Sequence, residues 1–354
     1  MTAPRLEVDL DHLAENARSL VARLAPKGIR VTGITKAALG SPDVAAALLR
    51  GGVVGLGDSR VENLARLRDA GVAAPLTLVR SPMVSQADVV VRTAQVSLNT
   101  EATVLDALSA AAVAHRSSHD VVLMVELGDL REGIAADEVI DAARSVARLP
   151  GLVLAGIGTN LACQSGVVPD QRNMAELSRL AEGVEAAVGH PLQLVSGGNS
   201  ANLDWALGTD DVGRVDELRL GEAILLGTEP LRRRPIDGLH LDAFTLVGEV
   251  IESRTKPVRP WGTLAEAAFG APPVRSGSAT GTIRQAIVAL GRQDVDPDGL
   301  VPPDGITVLG ASSDHLVLDV GDHDLAPGDE LRFGLAYGAL LRAATSPFVT
   351  FTPV

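Results

Sequence analysis

Lysine is scarce in this sequence, which limits the residues that could bond covalently to a carbonyl compound. Of 31 basic residues, only Lys27, Lys36 and Lys256 are lysines. Lys36 directly follows the run at 31–35, so we expect it at the carboxyl end of a strand, whereas Lys27 precedes that strand. An amine partly removed from water at such a place can lose its proton and condense with an aldehyde cofactor. On position alone, an ordinary surface lysine at a strand end remains the alternative.

A glycine-rich turn offers a second chemical group. The stretch Ser196-Gly197-Gly198-Asn199-Ser200 leaves one predicted strand and enters a predicted helix. Free backbone N–H groups and a hydroxyl at a helix start form a cradle for phosphate. A plain turn capped by Asn or Ser is the alternative. The next predicted strand ends in Arg219-Leu220-Gly221-Glu222, where a glycine would let the backbone approach a ligand closely.

Short apolar runs alternate with longer stretches of helical period in the first two thirds of the chain. This pattern is typical of βα units around a parallel sheet. The predicted strands are 31–35, 53–57, 75–79, 96–99, 121–126, 152–158, 193–196 and 217–220. The predicted helices include 42–50, 61–70, 100–114, 135–148 and 171–188. Eight strands in this length favour an α/β fold of the (β/α)8 TIM barrel type, with an open doubly wound sheet as the alternative.

The pattern of apolar residues changes near residue 235. Alternating segments at 244–251, 286–291, 306–310 and 316–320 lie between turns rich in Pro and Gly, which predicts a C-terminal β-rich domain. We therefore expect a barrel domain at 10–230 and a β-rich domain at 235–354. The alternating start at 1–9 could form a strand with either domain, and we expect it to pair with the second.

Composition excludes several classes of protein. The net charge of −13 opposes binding to nucleic acid or to an anionic membrane. Apolar stretches are too short for a transmembrane span, and the first residues carry acids where a signal peptide needs an apolar run. The seven histidines show no metal-ligand spacing, so we expect no metal site. Cys163, the single cysteine, suits the reducing cytoplasm and is either an inert small residue or a reactive group at the barrel mouth.

Five stretches together resemble one family over nearly the whole chain. They read VSGGNSANL at 195–203, ELRLGEAILLG at 217–227, LGRQDVD at 290–296, GASSDH at 310–315 and YGALL at 337–341. With Lys36 ahead of them, the chain resembles the fold-type III pyridoxal 5'-phosphate (PLP) enzymes of the alanine racemase family. Within that family it looks most like the ornithine racemase branch.

The resemblance implies a set of site residues. Lys36 would form the Schiff base with PLP and act as one of two racemisation bases. Arg219 would face the pyridine nitrogen and keep it unprotonated. The cofactor-binding residues that the resemblance implies are Lys36, Asn160, Ser200, Arg219, Gly221, Glu222 and Tyr337. Arg131 would approach the substrate carboxylate, unless it forms only a surface ion pair with Glu132.

Two positions depart from the family pattern. Asn160 stands where alanine racemases carry a histidine under the cofactor. Arg292 stands where the second domain supplies a catalytic tyrosine, and Tyr337 is the only tyrosine in the chain. Because one lysine cannot easily serve both faces of the substrate, a second base is required. The candidates are Asp314, His315 and Cys163.

The leading hypothesis is therefore racemisation of a free amino acid, most simply ornithine or another basic one. Ser313, Asp314 and Asp294 would be available to a side-chain ammonium. The resemblance also implies a homodimer in which the second domain of one subunit completes the site of its partner. Alternatives are an alanine or broad-specificity racemase, a non-catalytic PLP-homeostasis protein, and a decarboxylase or aldolase on the same scaffold. The homeostasis proteins generally comprise the barrel alone, and the decarboxylases carry a second-domain cysteine that this chain lacks.

Overall fold

The computed structural model describes residues 2–270 and 281–354. The chain divides into two compact units, Asp11–His240 and a second unit that combines Met1–Leu10 with Leu241–Val354. None of the helices in the described ranges has both the length and the apolar character needed to cross a membrane.

The first strand, β1 (Arg5–Val8), is followed by regular alternation of helices and strands. These are α1 (Leu10–Leu24), β2 (Arg30–Ile34), α2 (Pro42–Arg50), β3 (Gly55–Asp58), α3 (Val61–Asp69), β4 (Leu76–Leu78), α4 (Ala87–Thr93), β5 (Val96–Asn99), α5 (Ala102–Ala114), β6 (His119–Met124), α6 (Val139–Val146), β7 (Leu152–Gly158), α7 (Gln171–Val188), β8 (Leu194–Ser196), α8 (Leu203–Gly208), β9 (Glu217–Leu220) and α9 (Glu222–Leu226). Strands β2 to β9 are parallel and form a closed barrel, with β9 paired to β2. The predicted (β/α)8 barrel is confirmed, and the open sheet is excluded.

Local sequence signals explain where the barrel helices begin and end. Helix α2 has Pro42 at its first position, and Ser41 Oγ accepts a hydrogen bond from Val44 N at 3.4 Å. Helix α7 begins with a capping box between Asp170 and Asn173 and ends at Gly189, whose φ of 80° is left-handed. The apolar faces of these helices are buried, as a ring of helices around a barrel requires.

Several helices differ from the sequence prediction, among them α1, α4 and α6. The amphipathic helix α1 and the short helix α4 were not predicted, the latter because its valine run has low intrinsic helix propensity. Helix α6 is shorter than the predicted 135–148, since Ile134 bridges Val125 beside the sheet and the chain turns before Val139. The boundary of α6 therefore depends on a pairing between distant residues, which a local sequence pattern does not specify.

In its described residues, 2–10, 241–270 and 281–354, the second unit is an eight-stranded sheet with one α-helix. It contains β1 together with β10 (Phe244–Pro257), β11 (Thr282–Val288), β12 (Leu300–Val301), β13 (Thr307–Ala311), β14 (Leu316–Asp319), β15 (Glu330–Leu335), α10 (Tyr337–Thr345) and β16 (Thr350–Pro353). The central order is β12-β15-β10-β11-β14-β13, with antiparallel neighbours. Strand β1 pairs with β10 antiparallel and with β16 parallel. The predicted β-rich C-terminal sheet is confirmed, and β10 extends beyond the predicted end at 251.

Candidate active site

Lys36 lies at the carboxyl end of β2. This is the rim of the barrel at which TIM-barrel enzymes have their active sites. The residue is half-buried and begins a single 3₁₀ turn, Lys36–Ala38. Thr35, directly before it, is fully buried, and its N–H donates to the Gly57 carbonyl at 2.9 Å. The base of the lysine is therefore fixed to the neighbouring strand β3.

A buried carboxylate stands behind this turn. Asp58 Oδ2 accepts a hydrogen bond from Thr35 Oγ1 at 2.8 Å, and Oδ1 accepts from Asn63 Nδ2 and from Arg60 N, each at 3.0 Å. Burial raises the pKa of Asp58, while these hydrogen bonds act in the opposite direction. Gly40, with φ of +60°, passes so close that an added Cβ would lie 2.8 Å from Asn63 Cβ. The loop after Lys36 is thus fixed at both ends.

The other two lysines are engaged in structural contacts. Lys27 donates to the Thr209 carbonyl and lies 3.7 Å from Asp210 Oδ1. Lys256 belongs to β10 of the second unit and pairs with Glu252. Lys36 is consequently the one lysine of the chain at the carboxyl end of a barrel strand.

The glycine-rich turn after β8 has the conformation that its residues predict. Gly198 has φ of +141°, and an added Cβ would lie 2.2 Å from Asn202 Oδ1. Asn199 caps the short turn Ser200–Asn202 by accepting a hydrogen bond from Ala201 N at 2.8 Å. A side chain at position 198 would therefore displace the residues that shape the turn.

This turn meets the start of α9 next to the strand of Lys36. Ser200 Oγ accepts hydrogen bonds from Gly221 N at 3.4 Å and from Ala223 N at 3.2 Å. A Cβ on Gly221 would lie 3.3 Å from the Cβ of Ile34, the last residue of β2. The hydroxyl, the N–H groups and the root of Lys36 therefore share one section of the barrel rim.

Arg219 is buried inside the barrel, with 4% of its surface exposed. Its guanidinium donates to the Thr159 carbonyl at 2.8 Å and to Ser196 Oγ, which in turn donates to Glu217. Thr32 Oγ1 donates to the other oxygen of Glu217. Burial lowers the pKa of Arg219, and the Glu217 carboxylate acts in the opposite direction. A buried cation is tolerated here because it is paired through a hydrogen-bonded chain.

Asn160 and Cys163 follow β7 on the same rim. Asn199 Nδ2 donates to Asn160 Oδ1 at 3.0 Å and approaches Cys163 Sγ at 3.4 Å. Asn160 Nδ2 is buried, and no hydrogen-bond partner is found for it among the described residues. Cys163 is exposed. A buried donor without a partner is costly, which marks Asn160 as a residue suited to contact a bound group.

Arg131 and Glu132 form a surface ion pair, with Arg131 Nη2 at 2.6 Å from Glu132 Oε1. Both residues are close enough to influence the pKa of Arg219 in opposite directions. The loop that carries them is held by Asp129, which accepts hydrogen bonds from Gln164 N and Ser165 N at 3.0 and 2.9 Å. Arg131 therefore forms the ion pair with Glu132. This pair lies close enough to Arg219 to affect its pKa.

Glu222 lies at the same rim, and its carboxylate is largely removed from water. Burial raises its pKa, whereas the cations of Arg233 and Lys36 act in the opposite direction. Arg233 Nη1 lies 2.8 Å from Glu222 Oε1. The side-chain contact found for Glu222 is therefore with the cation of Arg233, at the start of α9.

The remaining predicted residues lie in the second unit. Asp314 Oδ1 accepts hydrogen bonds from Ser312 Oγ and Ser313 Oγ, both at 3.0 Å, and from His315 Nδ1 at 2.9 Å. These bonds, that of His315 first, hold the pKa of Asp314 below its usual value. Tyr337 is half-buried and is the first residue of α10.

Arg292 and Asp294 have structural contacts in this unit. The Arg292 guanidinium lies 5.2 Å from the centre of the Phe269 ring. Asp294 is buried and accepts hydrogen bonds from Gly291 N at 2.9 Å and from Ser346 Oγ at 3.2 Å. The expectation that Asp294 is available to a substrate ammonium is wrong, because its carboxylate braces its own loop. Asp314, which is exposed, keeps that possibility.

Several functional neighbours were missed by the sequence reasoning. They are Asp58 behind Lys36 and the support of Arg219, namely Thr32, Thr159, Ser196 and Glu217. The sequence contains a signal for Glu217, since residues two apart on a strand share a face and Glu217 lies two residues before Arg219 on β9. Asp58 had none, because its contact with Thr35 depends on the pairing of two strands.

The sequence of the chain is similar to known proteins over its full length. The profile of the alanine racemase N-terminal domain matches residues 8–230. A lysine racemase of Thermotoga maritima is 37% identical over 354 residues, covering 99% of this chain and 98% of that protein. An ornithine racemase of Acetoanaerobium sticklandii is 34% identical, covering 98% of both chains.

Solved structures share the fold at lower identity. The alanine racemase of Streptomyces lavendulae matches with a TM-score of 0.76 at 21% identity, covering 100% of this chain. A D-threonine aldolase of Filomicrobium marinum matches with a TM-score of 0.75 at 18% identity, covering 97% of this chain. Fold and site together define an enzyme with a (β/α)8 barrel, a rim lysine and a β-rich second unit. The chain belongs to the alanine racemase family.

Proposed function

We propose that this protein is a PLP-dependent racemase that acts on a free basic amino acid. The observation that carries the proposal is the shared position of Lys36 and the Ser200–Gly221 contact on neighbouring strands of one barrel rim. An amine and a set of phosphate-binding groups on neighbouring strands of one rim suit a phosphorylated aldehyde. The family of the chain and its full-length racemase relatives support the same reaction.

The residues present fit PLP on chemical grounds. Gly198 allows the turn that carries Ser200 to pass close to Asn202, and the N–H groups at the start of α9 converge with the Ser200 hydroxyl. Asn160 keeps a buried amide donor without a partner among the described residues. Lys36 would hold the cofactor covalently, Ser200 and Gly221 its phosphate, and Arg219 its ring nitrogen, with Tyr337 as a further phosphate ligand. Glu222, the first residue of α9, would belong to the same cofactor site, with its carboxylate paired to Arg233.

The protein residues then divide the work of the reaction. When bound, PLP supplies an electron-withdrawing ring that acidifies the α-proton of an amino acid. Lys36 Nζ would remove or return that proton on one face of the α-carbon. Arg219 stays protonated through its bonds to Ser196 and Thr159, so it would present a donor and no removable proton to the ring nitrogen.

Specificity for a basic amino acid is proposed from two sources. The relatives that match over the full length are named a lysine racemase and an ornithine racemase. In this chain, Arg131 would exchange its present partner Glu132 for the substrate carboxylate, and Asp314 with Ser313 would offer acceptors for a side-chain ammonium. We further propose a homodimer in the cytoplasm, with the second unit of each subunit serving its partner's barrel.

The alternatives have less support. A barrel-only PLP-homeostasis protein would not need the eight-stranded second unit, and the two racemase relatives cover that unit as well. An alanine racemase is the alternative within the family, but the matching alanine racemase of Desulfosudis oleivorans covers only 56% of this chain. The aldolase resemblance concerns the fold alone, at 18% identity.

The test is direct. Purified protein is loaded with PLP and incubated separately with L-lysine, L-ornithine, L-arginine and L-alanine, and each product is resolved by chiral chromatography. We expect a D-enantiomer from at least one basic amino acid, formed with a kcat/KM at least tenfold above that for alanine. A preference for alanine would contradict the proposed specificity, and no racemisation of any common amino acid would contradict the function.

A further inference from the structure

The proposed reaction requires a second proton carrier, and the loop Ser312–His315 of the second unit contains a pair of residues built like one. His315 Nδ1 lies 2.9 Å from Asp314 Oδ1, and Ser312 Oγ and Ser313 Oγ each hold the same oxygen at 3.0 Å. The Ser312 hydroxyl also accepts a hydrogen bond from His315 N at 3.0 Å. The carboxylate is therefore fixed by two hydroxyls, and the imidazole is oriented by the carboxylate.

This loop is bonded to the segment where the family resemblance expects a catalytic tyrosine. Arg292, which occupies the tyrosine position, donates its N–H to the Ser312 carbonyl at 2.9 Å, and Gln293 N donates to Ser313 O at 3.0 Å. Gly291 packs so tightly that an added Cβ would lie 2.2 Å from both Asp314 N and Ser313 O. The Asp–His pair thus stands beside the position that lacks the expected tyrosine.

Three other ionisable residues of the second unit are held by structural contacts. His323 Nε2 is bonded to the Asp304 carbonyl at 2.8 Å. Lys256 is paired with Glu252, and Asp294 is buried in its own loop. His315 keeps 46% of its side chain exposed, and its Nε2 is the ring nitrogen turned away from the carboxylate that orients Nδ1.

We propose that His315 is the second catalytic base and that Asp314 is the residue that positions it. The inference rests on the proposed racemase function. In one direction, Lys36 Nζ takes the α-proton from one face, and the electron pair of the broken C–H bond forms a new C–H bond with the proton of His315 Nε2–H on the opposite face. Lys36 gains one proton and His315 loses one, and the reverse reaction or exchange with water restores both. Asp314 stays ionised and balances the charge of the imidazolium.

The experiment separates the two faces by isotope exchange in D₂O, using holoenzyme of the wild type, His315→Gln and the control His323→Gln. General acid–base groups typically contribute about 10²- to 10⁴-fold. We expect H315Q to lose racemisation by at least about a hundredfold, while one enantiomer still exchanges its α-proton through Lys36 with retained configuration. H323Q should racemise at the wild-type rate. Retained PLP absorbance and circular dichroism establish that H315Q is folded and loaded.

Three results would overturn the proposal. One is racemisation by H315Q within about threefold of wild type, far below the usual contribution of such a base. Another is an equal loss of exchange for both enantiomers, which would indicate general damage. The third is the same separation of exchange from racemisation in Cys163→Ser. If the wild type exchanges no amino acid at all, the proposed function itself has failed, which the wild-type arm reports separately.

A readout without cofactor tests the positioning role of Asp314. In the ¹⁵N-histidine NMR spectrum of the apoprotein, the His315 resonance is identified by its absence from H315Q. Asp314→Asn should move the ring ¹⁵N resonances of His315 and leave the His323 resonance unchanged, because His315 Nδ1 loses its carboxylate partner. In holoenzyme, D314N should lower kcat about tenfold. An unchanged His315 resonance in D314N would contradict the pair.

Discussion

The chemistry proposed for Lys36 depends on the residues behind it as much as on its amine. Thr35 joins β2 to β3 through Gly57 O and Asp58 Oδ2, and Asp58 in turn holds Asn63. Since Asp58 is fully buried, removing its charge leaves donors without an acceptor rather than exposing them to water. The position of the lysine is therefore sensitive to a residue that does not contact substrate.

Asp58→Asn tests this support. The NH₂ group of the new asparagine would replace one carboxylate oxygen and face a hydrogen-bond donor instead of accepting from it. We therefore expect a loss of about 1–3 kcal/mol in the free energy of unfolding, together with weaker retention of PLP on Lys36. Urea denaturation and the absorbance of the dialysed holoenzyme measure the two effects. Asp141→Asn, which alters only an exposed pair with Arg144, is the control and should change neither. Wild-type retention and stability in D58N would show that the buried carboxylate is dispensable.

His119 predicts a pH dependence of stability. It is buried at the start of β6, bonds to Ser97 Oγ at 2.8 Å, and burial lowers its pKa from 6.5 to about 4. Because the unfolded chain binds the proton more readily, the free energy of unfolding should fall as the pH drops from 6.5 towards 4. The contribution lost is about 3 kcal/mol at most.

The measurement is urea denaturation of wild type and His119→Gln between pH 4 and pH 7. We expect the stability of H119Q relative to wild type to improve steadily as the pH falls through this window. His323→Gln, at an exposed histidine, should follow the wild-type profile. Parallel profiles for H119Q and wild type would mean that His119 is not buried in its neutral form.

The turn between β8 and α8 requires a glycine at position 198. Gly198→Ala places a Cβ at φ of +141° and 2.2 Å from Asn202 Oδ1, whereas Gly208→Ala meets nothing within 4 Å. We expect G198A to weaken PLP binding at least tenfold, because the turn that carries Ser200 must move. Titration of apoprotein with PLP measures this, and G208A should bind as wild type does. Equal affinity for both variants would remove the turn from the cofactor site.

Helices and strands with local sequence signals could be predicted, whereas contacts between distant residues could not. The strand at 96–99 and the helix at 42–50 match the structure, because their apolar runs and their Pro and Gly boundaries are local signals. Helix α4 was missed because its valines resemble a strand. The contacts Thr35–Asp58 and Ser196–Glu217 depend on strand register, which a single sequence does not specify. The Asp314–His315 bond depends on rotamers within a loop, so sequence indicated the residues but not their pairing.

The proposed dimer predicts that two inactive variants restore activity when they form a mixed dimer. Lys36→Ala and His315→Gln should each be inactive as racemases, since each lacks one of the two bases. If the second unit serves the partner's barrel, a mixed dimer contains one complete site. Co-refolding equal amounts should restore about a quarter of wild-type activity, since about half of the dimers are mixed and each has one of two sites intact. No recovery, despite mixed dimers isolated through two affinity tags, would mean that each chain completes its own site.

The most direct test of the proposed function follows the α-proton of L-lysine and L-ornithine by ¹H NMR in D₂O, with PLP-loaded wild type and Lys36→Ala. Because the wild type should exchange the α-proton and form the D-enantiomer, we predict loss of that signal together with a D-product on chiral chromatography. K36A should do neither and should lack the absorbance of lysine-bound cofactor. The absence of α-proton exchange for every common amino acid with wild type, or full activity and absorbance in K36A, would contradict the assignment of Lys36 and of the reaction.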